Sequence, residues 1–192
     1  MTTVAVGAKE YTLRVNGREV RVTASPSTSL LDVLHDDVGL GEVRYGCGEG
    51  VCGTCTVLLD GEPVSACLMF VPQAEGHELT TLSGLAAMSQ DGEPTREQGR
   101  ARAMHPLQQA FLRRGALQCG FCTPGMILTA YSLIDRVGQP SREAVAYELM
   151  GNLCRCTGYA KIFEAVAEYA ESAAARRDAV DDPSPARGGV MP

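Results

Sequence analysis

At 192 residues the chain has room for one large domain or two small ones, and its 45% apolar content is enough to bury a core. A formal charge of −6 and the scatter of Lys and Arg exclude the basic face that nucleic acid requires. No apolar stretch approaches the roughly 20 residues of a membrane-spanning helix. The Met1–Lys9 segment lacks the charged-then-apolar pattern of a signal peptide, so a cytoplasmic location is expected. In that reducing compartment, eight cysteines point to metal binding or redox chemistry rather than to structural disulfides. Crowded thiolates repel one another, and a metal cation offsets that repulsion.

The chain opens with the pattern of a β-hairpin. Tyr11, Leu13 and Val15 alternate with polar residues, as do Val20 and Val22, and Asn16-Gly17 between them suits a type I′ turn. That turn predicts Leu13 opposite Val20 and Tyr11 opposite Val22. A short helix follows, capped by Ser29 with Asp32 in its first turn and a buried stripe of Leu30, Leu31 and Leu34. After a Gly- and Cys-rich loop, Tyr45 to Gly53, the predicted elements are a strand over Thr56–Asp60, a turn at Gly61-Glu62-Pro63, and strands over Val64–Phe70 and His77–Leu82. This order gives an α+β fold class.

The segment from Ala87 to Ala103 has little apolar periodicity and reads as a linker or exposed loop. The predicted division is therefore a first domain over 1–86, a linker over 87–104, a helical domain over 105–172 and a disordered tail over 173–192. In the helical domain, Pro106 opens a helix carrying Leu107, Ala110 and Phe111. Thr123 caps a second, with Met126, Ile127, Ala130, Tyr131 and Ile134 as its stripe, and Ser141 caps a third that stops near Gly151. Tyr159, Ile162, Phe163, Val166, Tyr169 and Ala170 mark a fourth. Four short helices predict a compact bundle.

Cys47, Cys52 and Cys55 form C-x4-C-x2-C, with Cys67 as a fourth thiol. This is the plant-type [2Fe–2S] spacing. The interspersed glycines adopt the backbone angles that a tight loop needs, and let N–H groups approach cluster sulfur. The competing reading is a structural zinc on four thiolates, although zinc knuckles use two short Cys pairs rather than three cysteines in one Gly-rich loop. Cys119 and Cys122 form C-x2-C, and Cys154 and Cys156 form C-x-C, each pair at a predicted helix boundary where an anionic all-thiolate site is favoured. Taken alone, this second pattern suits zinc as well as iron–sulfur. His35, His77 and His105 lie apart from one another and from any nucleophile pattern, and are read as surface or capping residues rather than catalysts.

The Gly46–Cys55, Gln118–Gly125 and Asn152–Tyr159 stretches, in that order, resemble the small iron–sulfur subunit of the molybdenum hydroxylases, the xanthine dehydrogenase, aldehyde oxidoreductase and carbon monoxide dehydrogenase group. The resemblance runs from about Glu10 to Glu171. It implies an N-terminal ferredoxin-like β-grasp domain with one [2Fe–2S] cluster on Cys47, Cys52, Cys55 and Cys67. It further implies a C-terminal all-α four-helix bundle with the other cluster on Cys119, Cys122, Cys154 and Cys156. Gln118 would hydrogen-bond the pterin of a molybdenum cofactor on a large partner subunit. Electrons would pass from molybdenum through the Cys119 cluster, then the Cys47 cluster, to FAD on a medium partner subunit or to another acceptor. The chain itself would carry no substrate site and no catalytic residue. The alternative is a free-standing two-cluster ferredoxin-type carrier. Thr54 departs from the family, many members of which have Ala there, and the Ala87–Ala103 segment and the tail are longer than usual.

Overall fold

A computed structural model describes residues 7–88 and 104–181. Strands β1 (Lys9–Val15) and β2 (Arg18–Ala24) pair antiparallel with Leu13 opposite Val20 and Tyr11 opposite Val22, the predicted register. Asn16 and Gly17 both hold positive φ, 55° and 73°, as a type I′ turn requires. Asn16 also ties the turn to a distant strand end: its amide donates to Thr81 Oγ1 at 3.0 Å and its Oδ1 accepts from the Thr81 N–H at 2.8 Å. Helix α1 (Leu30–Asp32) continues as a π-helical segment over Val33–Asp37, and the Ser29 hydroxyl accepts the Asp32 N–H at 3.1 Å as a cap.

Strands β3 (Thr56–Leu59), β4 (Glu62–Ser65) and β5 (Glu78–Thr80) complete a five-stranded sheet of order β2-β1-β5-β3-β4. The β1–β5 pair is parallel and the other pairs are antiparallel. The β3–β4 turn falls at Asp60-Gly61 rather than at Gly61-Glu62-Pro63. Both residues have positive φ, and the Asp60 carboxylate is pinned by the Glu78 N–H and by His77. Pro63 lies in the edge strand, where its missing N–H breaks no ladder. The strand expected to reach Phe70 ends at Ser65, because the chain turns inward to carry Cys67 toward Cys55. The strand expected over His77–Leu82 is shorter, and Leu82 instead opens a helix, α2 (Leu82–Met88), that the sequence reading missed. Ser83 and Gly84 disguise it; Leu85 is buried in the helical core.

The helical domain comprises α3 (Pro106–Arg113), α4 (Thr123–Val137), α5 (Arg142–Glu148), a short 3-10 turn (Leu149–Gly151) and α6 (Ala160–Asp181). His105 caps α3: the Leu107 N–H donates to its Nδ1, while its own N–H donates to Gln108 Oε1. It is a capping residue but not a surface one. It is 5% exposed between Tyr131 and Tyr169, and burial, aided by the nearby Arg176, lowers its pKa to about 4. The N-cap of α4 is Cys122, one residue before the expected Thr123. The tail expected from Ala173 is helical over the part that the structure describes. Helix α6 continues to Asp181, with Ala170 and Ala173 extending its buried stripe and Arg176 lying over the Tyr169 ring at 5.8 Å. Of the expected linker, Ala87 and Met88 close α2, and residues 89–103 lie outside the described residues, as does the tail over 182–192.

The two halves share strand β3. Val57 packs in the core beneath α1 with Leu13, Leu31 and Leu79, whereas its neighbour Leu58 packs among the helices with Phe111, Met126 and Leu133. Successive strand residues point to opposite sheet faces. One sheet face therefore carries α1 and the other carries α4.

Candidate metal centres

The structure brings Cys47, Cys52, Cys55 and Cys67 together. Cys47 and Cys52 lie on the Gly-rich loop, Cys55 immediately precedes β3 and Cys67 follows β4. Cys47 interacts with Cys52, and Cys55 interacts with Cys67 and with Cys52. Their environments differ. The backbone N–H of Glu49, 3.3 Å from Cys47 Sγ, helped by the N–H groups of Cys52 and Val51, lowers the Cys47 thiol to about 6. Burial pushes the Cys55 thiol, 3% exposed, up to about 12. Cys55 therefore needs a bound cation to become a thiolate, and a coordinating metal deprotonates a thiol outright.

Cys119, Cys122, Cys154 and Cys156 form the second group. Cys156 and Cys119 are 3.6 Å apart, sulfur to sulfur, and Cys122 pairs with Cys154. Cys122 caps α4 and its thiol is pushed up to about 12 by burial. Burial opposes ionisation of Cys154 as well, but the Thr157 hydroxyl at 3.2 Å and the Thr157 N–H at 3.5 Å turn the net shift downward. The Phe121 N–H lowers Cys119. Cys119 and Cys156 are exposed, and the exposed Gln118 immediately precedes Cys119 in the chain. The turn carrying Cys154 is stapled by Tyr159, whose hydroxyl donates to the Asn152 carbonyl at 3.0 Å and accepts from the Cys154 N–H at 2.9 Å. Tyr159 holds a positive φ of 66° to do so.

The donor chemistry fits one binuclear iron–sulfur cluster at each group: four thiols, with N–H donors directed at sulfur. A binuclear cluster takes two thiolates per iron, and each group supplies four.

The groups are locked together by residues that the sequence reading passed over. The Leu153 N–H donates to the Cys52 carbonyl at 2.9 Å. The Asn152 amide donates to the Gly53 carbonyl at 3.0 Å and lies 3.4 Å from Thr56 Oγ1. Arg44 donates to the Gly120 carbonyl at 2.5 Å and lies over the Phe121 ring, 5.5 Å from its centroid. Gly53, at φ +65°, is held so closely that a Cβ there would sit 2.2 Å from the Gly151 carbonyl oxygen. The signal available in the sequence was a polar Asn two residues before Cys154, at a place where a surface turn needs none.

Residues 13–83 match the family described as 2Fe-2S iron-sulfur cluster binding domain, and residues 93–167 match the [2Fe-2S] binding domain. The chain is 46% identical over 154 residues to the nicotinate dehydrogenase small FeS subunit of Eubacterium barkeri, covering 80% of this chain and 90% of that one. It is 42% identical over 157 residues to the nicotine 6-hydroxylase small subunit of Paenarthrobacter nicotinovorans, covering 82% and 87%. Among solved structures, a chain of quinoline 2-oxidoreductase from Pseudomonas putida 86 superposes with a TM-score of 0.76 at 40% identity, covering 89% of this chain and 98% of that chain. The aldehyde oxidoreductase of Desulfovibrio desulfuricans superposes with a TM-score of 0.75 at 42% identity, covering 85% of this chain and 17% of the longer one.

Proposed function

The chain belongs to the small iron–sulfur subunits of the molybdenum hydroxylases, an oxidoreductase component that transfers electrons through [2Fe–2S] clusters, and from that premise we propose how its residues divide the work. Cys47 and Cys52 hold one iron of the N-terminal cluster, and Cys55 and Cys67 hold the other. Cys119 and Cys156 hold one iron of the C-terminal cluster, and Cys122 and Cys154 hold the other. When bound, each cluster supplies one-electron storage. The protein supplies the thiolates, the N–H donors that stabilise their negative charge, and the spacing.

The exposed Cys119–Cys156 end takes electrons from a molybdenum cofactor on a large subunit, with Gln118 hydrogen-bonding its pterin. The N-terminal site passes them to FAD on a medium subunit or to another acceptor. The chain needs no substrate site of its own for this task. Its relatives are themselves named as subunits, which disfavours a free-standing carrier. No helix among the described residues is long and apolar enough to cross a membrane.

The observation that carries this reading is the gathering of eight thiols into two groups of four, one of which reaches the surface through Cys119 and Cys156. The test is Cys119→Ser in the purified complex. Substrate should then fail to reduce the N-terminal cluster, while dithionite still does, as followed by visible bleaching and electron paramagnetic resonance. Reduction by substrate at the wild-type rate would reverse the proposed order of carriers.

A further inference from the structure

One backbone hydrogen bond runs between the two thiol groups. The residue preceding Cys154 donates its N–H to the carbonyl of Cys52 itself, at 2.9 Å. From one group to the other the path is therefore the Cys154 and Leu153 backbone, one hydrogen bond and the Cys52 residue. The other clasp, from Arg44 to Gly120, passes through a long side chain. The backbone bond joins two loops rather than two strands of a ladder, and Leu153 is half exposed, so regular structure does not hold it in place.

Its support comes from Asn152. This side chain is 3% exposed, and burying an amide is worthwhile only where its hydrogen bonds are met. Its Nδ2 reaches the Gly53 carbonyl, the acceptor next along the chain from Cys52. Thr56 Oγ1 donates to the same carbonyl at 2.7 Å. Gly125, three residues after Cys122, presses against that carbonyl so closely that a Cβ would lie 2.2 Å from its oxygen and 3.1 Å from the Asn152 Nδ2. The Gly53 peptide is thus clamped between the turn leading to Cys154 and the first turn of α4.

We infer that Asn152 is a positioning residue for electron exchange between the two sites, fixing the Cys52 carbonyl against the Leu153 N–H. The inference rests on the cluster-ligand reading above. A single electron crossing this bridge oxidises the C-terminal site by one and reduces the N-terminal site by one, and no bond breaks and no proton moves. A merely structural amide would affect folding or iron content. A positioning amide affects how strongly the two sites sense each other.

The test uses the full complex carrying Asn152→Ala, reduced with dithionite and examined at low temperature by electron paramagnetic resonance, beside iron and sulfide analysis. The expected result is wild-type iron and both cluster signals, with the through-bond part of any magnetic splitting between them diminished relative to the wild-type complex. Wild-type iron with unchanged splitting overturns the inference and leaves the cluster reading standing. Absence of iron and of both signals from the wild-type complex overturns the cluster reading itself. Should Asn152→Ala lose iron, Leu153→Pro decides, because it deletes the bridging N–H and leaves the buried Asn152 side chain in place. Asn152 already has the extended backbone, φ −122° and ψ 106°, that a residue before proline adopts. Both clusters present with the splitting diminished upholds the inference in that variant. Unchanged splitting, or lost iron there too, overturns it.

Discussion

Cys55 is buried at the head of a β-strand, whereas Cys119 and Cys156 lie exposed ahead of two helices. The first site is wrapped by one continuous Gly-rich loop and closed by Cys67 from the next hairpin. The second is assembled from two short turns far apart in sequence, with Cys122 capping a helix and Tyr159 stapling the other turn. The difference matches two tasks. A wrapped site is shielded by its own chain, and an open site can be approached closely by a partner.

The largest effect should come from Gly53, where the two sites meet. Alanine at φ +65° costs about 1–2 kcal/mol in backbone strain. Its Cβ would also overlap the Gly151 carbonyl oxygen and the Asn152 amide, and such overpacking costs roughly 1–3 kcal/mol more. Gly53→Ala should lower the melting temperature and the iron content of the N-terminal site. Wild-type iron and an unchanged melting temperature would mean that the two halves are not clamped as described.

Much of this arrangement was legible in the sequence. The hairpin register followed from Asn16-Gly17 and the alternation around it, and the two thiol groups followed from spacing. Helix starts at Ser141 and Pro106 followed from capping chemistry. What escaped was set by tertiary contact. Helix α2 has Ser83 and Gly84 near its start and is stabilised by burying Leu85 among distant helices. Helix α6 outruns its aromatic stripe because small alanines continue it. Tyr159 looked like one more apolar stripe residue, yet its hydroxyl closes a turn. Asn152 and Arg44 act across the junction between the halves, and a local pattern can flag an unexpected Asn before Cys154 but cannot name a partner 76 or 99 positions away.

An intermediate effect should appear when iron is removed by a chelator. With Cys119 and Cys156 exposed and Cys55 buried, the chain purified alone should lose its C-terminal cluster first, giving two phases of bleaching. Assembly with the molybdenum-binding subunit should slow the faster phase and leave the slower one unchanged. A single phase in the isolated chain would remove the contrast between a wrapped site and an open one.

The smallest effect concerns Arg44, a cation that the structure joins by a hydrogen bond to the loop between Cys119 and Cys122. A fixed positive charge favours the more negative, reduced form of a nearby site and so raises its potential. Arg44→Gln should therefore lower the midpoint potential of the C-terminal cluster by up to about 60 mV, the one-electron equivalent of a tenfold change in equilibrium constant. The N-terminal cluster should shift less, since Arg44 donates to Gly120 rather than to the loop that carries Cys47. Arg44→Lys keeps the charge while giving up the planar fork and its stacking on Phe121. If the charge sets the potential, Lys restores it; if the stacking and the Gly120 bond set it, Lys behaves like Gln. Redox titration of the two signals separates these outcomes, and equal shifts at both clusters would show that the Arg44 charge acts on both sites alike rather than on the open one.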